Sequence, residues 1–153
     1  MKILNIIIAM HLFIAVAYAE KKESAEELIA SKVKADMTYQ EMMQIMSIDA
    51  KKIYDGMILE NRVMVIDGAN AIRFHKAPNH KPWLIVEKSK QDAFKEMLLI
   101  YDEILHESAE DIVDALDKDD WSGANRAFGV MTDSCIVCHS GWKNEVIKRD
   151  FGK

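Results

Sequence analysis

Helix breakers are scarce in this chain: 2 prolines and 6 glycines in 153 residues. The prolines sit together at Pro78 and Pro82, so one interruption is expected and long helices elsewhere. No segment alternates polar and apolar residues over a strand's length, which excludes a β-sheet architecture. There is no internal repeat and no low-complexity tract, so neither a solenoid nor a linker is expected. No basic stripe is present, and nucleic acid is not an expected partner. Cysteine is limited to Cys135 and Cys138. A structural zinc site would need a second Cys or His pair at ligand spacing, and none follows.

What is present begins with an export pattern. Met1-Lys2 gives a short positive start, and Ile3 to Val16 is mostly apolar. Ala17-Tyr18-Ala19 has the small-x-small form of a cleavage site, and charged Glu20-Lys21-Lys22-Glu23 follows. The apolar run is short and no stop-transfer pattern follows it, so residues 1–19 are expected to be a secretory signal cleaved after Ala19 rather than a membrane span. Residues 20–153 then form a single domain. Only Lys2 leaves with the signal, so the mature chain has 19 basic against 25 acidic residues, a net charge of −6. That surface favours solubility and partners with basic faces.

The two cysteines lie in Cys135-Ile136-Val137-Cys138-His139. Cys-x-x-Cys-His is the attachment pattern of a c-type haem. Two thiols add across the two vinyl groups of one porphyrin, and the adjacent imidazole binds the iron. On a helix, positions i, i+3 and i+4 share a face, so Cys135, Cys138 and His139 can address one flat macrocycle. A redox dithiol has no need of the histidine. Covalent haem on Cys135 and Cys138, with His139 as proximal iron ligand, is therefore the expectation, and with the export signal it implies a periplasmic protein.

Four amphipathic helices are predicted. Ser24-Ala25-Glu26-Glu27 and Thr38-Tyr39-Gln40-Glu41 both have capping-box form. The second opens helix A, which runs to about Asp55 with Tyr39, Met43, Met46, Ala50 and Ile53 on one stripe, continuing to Met57. Helix B covers roughly Leu59 to Phe74, with Val63, Ile66 and Ala69 inward. His75 to Ser89 is irregular. Helix C runs from about Gln91 to Leu116, and its inward residues are Phe94, Met97, Leu98, Tyr101, Ile104, Leu105, Ser108 and Ile112. Helix D runs from about Trp121 to near Arg149, with Ala124, Phe128, Met131, Cys135, Cys138 and Trp142 on its stripe. The expected fold is all-α, an antiparallel four-helix bundle with the haem motif on the inner face of the last helix.

From Thr38 to Lys143 the chain resembles the class II c-type cytochromes, the cytochrome c prime family. The resemblance rests on the motif in the last helix, on Phe94-Lys95-Glu96 onward in the third, and on Ala127-Phe128-Gly129-Val130 and Ser134-Cys135-Ile136-Val137-Cys138-His139 in the fourth. Two positions depart from it: Lys143 stands where members often carry Arg, and Tyr39 where they often carry a basic residue. The tail after His139 contains no Met, which excludes the layout of class I cytochromes. The resemblance implies one covalent haem c, redox partner proteins and a homodimer through helices A and B, where Ile45, Ile48 and Met64 supply outward apolar groups.

It also implies that function depends on what helix A places over the open face of the iron. An aliphatic side chain suits binding of nitric oxide or carbon monoxide; a Met thioether raises the potential and suits electron transfer. Met43 is the expected distal ligand, with Met46 and then Met42 as alternatives. Each is equally a filler of a helical core. The leading expectation is a non-enzymatic one-electron carrier, and a five-coordinate gas-binding protein is the alternative. A peroxidase would need a distal acid–base group, for which helix A offers only Gln40, Glu41 and Gln44. His75 and His80 are further candidates from the loop, and Trp83 and Trp142 are candidates for packing on the porphyrin.

Overall fold

The computed structural model describes residues 24–147; the predicted signal, 1–19, lies outside them. The fold is all-α. Its helices are α1 (Ala25–Ser31), α2 (Tyr39–Ile58), α3 (Arg62–Arg73), α4 (Gln91–Asp117) and α5 (Trp121–Trp142). Both predicted capping boxes are formed: Ser24 and Thr38 each accept from the backbone N–H three residues on, and Glu27 and Glu41 each return to the cap N–H. No described helix is long and apolar enough to cross a membrane.

The four longer helices pack in chain order, α2 on α3, α3 on α4 and α4 on α5, and α5 returns to touch α2. The α2–α3 crossing is close because glycine sits on both sides of it. A Cβ on Gly68 would lie 2.9 Å from the Asp49 carbonyl oxygen, and one on Gly56 would lie 2.7 Å from Val65 Cγ2. Two tight reversals stand at one end. After α2 the Asn61 N–H reaches the Gly56 carbonyl, and after α4 the Asp120 N–H reaches the Ala115 carbonyl, a six-to-one closure at each helix terminus. Left-handed residues at these turns are Glu60 (φ 49°) and Asp119 (φ 55°). Arg62 ties the reversals together through Asp117 (2.8 Å) and Asp119 (3.1 Å).

The main core joins Met46, Ile53, Val65, Ala69, Ile72, Ala109, Ile112, Leu116, Ala124, Phe128 and Met131. A second cluster, Ala25, Trp83, Ile85, Val86, Phe94 and Met97, lies under the segment between α3 and α4. That segment is more ordered than its prolines alone foretell. It holds a strand, β2 (Ala77–Pro78), parallel to β1 (Lys34–Ala35), and two 3-10 turns, Pro82–Ile85 and Lys88–Lys90.

Three expectations need correction. In α3 Ala69 is buried as expected, but Val63 is exposed, and Val65, Gly68 and Ile72 are buried in its place. The glycine contact with α2 sets that register, a constraint that apolar periodicity does not carry. On α2 the expected stripe does pack into the main core, with Met43 half-buried, but it leaves out Met42, which is buried. The last helix ends at Trp142 rather than near Arg149. Its continuation pairs with the segment before α4: Val146 bridges Val86, and the Ile147 N–H donates to the Ile85 carbonyl at 2.7 Å.

Candidate functional site

A cavity of about 420 Å³ opens between the two hydrophobic clusters. Cys135, Cys138 and His139 line it from the last two turns of α5. Met42, Met43 and Met46 line it from α2, together with Tyr39 from the first turn. Met97, Leu98, Tyr101 and Leu105 contribute from α4, and Pro78 and Pro82 from the segment between α3 and α4. The i, i+3, i+4 spacing thus does bring the three motif residues to one cavity, and the three candidate methionines meet them there. The size lies in the range of small-molecule and cofactor sites, roughly 300–1,000 Å³.

Both thiols are half-buried and free. Burial pushes the Cys135 thiol above its ordinary pKa, and Cys138 is raised by burial and then by the neighbouring Cys135. Cys138 Sγ lies 3.4 Å from Met97 Sδ. Reactive dithiols sit where a thiolate is stabilised, at a helix N-terminus or beside a cation. These two sit near the C-terminus of a helix, where the partial negative charge opposes a thiolate. The surroundings therefore disfavour the thiolate form of both cysteines. His139 lines the cavity while its side chain remains solvent-exposed.

Tyr39 is the residue facing the cavity where the family resemblance calls for a basic group. It packs edge-on to Phe94 at 6.2 Å between ring centroids, and Phe94 packs edge-on to Trp142 at 5.1 Å. Burial raises its pKa well above the ordinary phenol value, so it stays a neutral donor. Trp142 and Trp83 do not line the cavity; Trp83 is buried in the second cluster with Lys95 Nζ 5.0 Å above its ring. Gln40, Glu41 and Gln44 do not line it either, and Glu41 is engaged in the Thr38 cap.

His75 and His80 both lie in the segment between α3 and α4. Only His75 reaches the cavity wall, beside Asp102 of α4. Asp102 is a site residue that sequence reasoning missed: a single acid on an amphipathic helix looks like any other solvent-facing charge. Its side chain is only 15 % exposed, and it contacts Lys32, His75 and His106. His106 on α4, partly exposed, belongs to the same cluster.

No family model, no curated protein and no solved structure matches the chain.

Proposed function

We propose that the chain is an exported mono-haem c-type cytochrome of the class II kind, an antiparallel four-helix bundle that carries one electron at a time between periplasmic redox partners. The observation that carries this reading is the convergence on one cavity of Cys135, Cys138 and His139 from α5 with Met42, Met43 and Met46 from α2. When bound, haem c supplies an iron that alternates between ferrous and ferric states.

The residues present fit that group. Cys135 and Cys138 are free thiols, as thioether attachment requires. His139, next to Cys138, offers the proximal imidazole from the same helix turn. Met43 is the distal ligand in this reading, with Met46 less favoured. It lies on α2 at the cavity, and its half-buried position leaves the thioether less committed to core packing than Met42 or Met46. Two side-chain ligands drawn from helices that pack on each other keep rearrangement between oxidation states small. The apolar walls formed by Leu98, Leu105, Ile72 and Met131 keep water from the site, a lever on reduction potential. The acidic chain, at −6 after signal cleavage, favours docking to basic partner faces.

Mass spectrometry of the protein exported from a host that matures c-type cytochromes tests the reading. The expected product begins at Glu20 and carries a single haem that survives acidified organic solvent. A bare polypeptide, with haem in the organic phase, overturns it.

A further inference from the structure

Beside the cavity, and separate from the Cys-x-x-Cys-His motif, three Lewis bases converge on one point. The ligand atoms of His75, Asp102 and His106 all lie within 4.8 Å of one another, and no other group of this kind is found among the described residues. Asp102 and His106 stand four apart on α4, so they share a face of that helix. His75 follows the C-terminus of α3 and brings the third ligand from a neighbouring helix.

The hydrogen bonds set the direction in which each ring points its lone pair. His75 Nδ1 is 2.9 Å from the Ile72 carbonyl oxygen. A carbonyl only accepts, so Nδ1 carries the hydrogen and Nε2 is left to face Asp102 Oδ1, at 3.3 Å. A backbone carbonyl that orients one ring nitrogen of a ligating histidine is the usual support of a metal site. His106 Nε2 is 2.8 Å from Lys32 Nζ. An ammonium only donates, so this nitrogen also presents a lone pair. The same Nζ is 3.0 Å from Asp102 Oδ2, and its side chain is 10 % exposed. Lys32 thus places its ammonium against two of the three bases, Asp102 and His106.

Burial lowers the pKa of both histidines. His75 Nε2 and Asp102 Oδ1, 3.3 Å apart, are placed so that one cation could bind both.

We propose that His75, Asp102 and His106 form a second metal site, one that takes a divalent transition ion such as zinc, with the Lys32 ammonium as the built-in cation that the ion displaces. Two imidazoles and a carboxylate suit zinc with one position left open. Lys32 begins the stretch after α1 and retains a route to solvent along a broad open groove lined by Val33, Phe74, Glu103 and Glu107. Metal release and Lys32 return are then two states of one site. The proposal does not depend on the haem reading.

Equilibrium dialysis of the full exported chain against zinc chloride near pH 7, with zinc and iron counted together by mass spectrometry, separates the two. Iron reports the haem and zinc reports this site. A single zinc per chain is expected. His106→Gln and Asp102→Asn should each weaken retention by at least about tenfold, while His80→Ala leaves it unchanged. Lys32→Met should bind zinc more tightly than the parent, because the competing cation is gone. His106→Gln changes a partly exposed side chain, and circular dichroism shows that the variant is folded. Zinc uptake absent from the parent, or equal in parent and folded His106→Gln, overturns the proposal, and so does a Lys32→Met variant that binds no more tightly.

Discussion

Met43 and His139 are the residues on which the electron-transfer reading turns, because both line the cavity from facing helices. If the Met43 thioether ligates, the ferric protein is low-spin, with a weak near-infrared sulfur-to-iron band. Met43→Ala should turn it high-spin, lower its reduction potential and give it affinity for carbon monoxide. Met43 is half-buried, so the packing cost should fall near the lower end of the range for a buried Met, about 2 kcal/mol. Met42→Ala and Met46→Ala remove more buried groups and should destabilise more without changing the spectrum. Conversion by Met46→Ala alone would move the ligand one turn along α2. A parent protein that is already high-spin and binds carbon monoxide would favour the gas-binding alternative. Thermal melts of all three variants distinguish loss of a ligand from loss of packing.

At the scale of elements, the reversals between helices hold the testable strain. Glu60 follows α2 in the left-handed region, where a Cβ meets the backbone and an L-residue other than glycine is disfavoured by about 1–2 kcal/mol. Glu60→Gly should therefore stabilise the fold by up to about 1 kcal/mol once glycine's extra freedom in the unfolded chain is set against that relief. A urea midpoint that rises with an unchanged slope is the expected result. The capping boxes were legible from residue order because capping is local chemistry. The face of α3 was not. Val63 fits an apolar stripe as well as Val65 does, and only the approach of Gly68 to Asp49 and Ile53 decides between them.

For the whole molecule, the outer sides of α2 and α3 leave apolar groups in solvent. Ile45, Ile48, Tyr54, Ile58 and Val63 are exposed, and Met64 is half-buried among them. Exposed apolar groups on two adjacent helices fit a two-fold interface between copies of the chain. Sedimentation at micromolar concentration should show a dimer, and Ile48→Glu should convert it to monomer with the haem spectrum intact. A parent protein that sediments only as monomer overturns this assembly.

The sequence by itself determined the helical class, the starts of α2, α4 and α5, and the placement of Cys135, Cys138 and His139 on one face. Each of these depends on residues within a few positions of one another, through capping, proline geometry and the 3.6-residue period. The tertiary structure alone decided that the motif and the methionines of α2 share one cavity, that the chain after Trp142 leaves the helix to pair with Val86, and that His75, Asp102, His106 and Lys32 meet. Those contacts join residues from 27 to 97 positions apart in the chain, with Asp102 and His106 the one local pair. They follow from how helices pack, and a buried charge such as Asp102 declares itself only when its partners surround it.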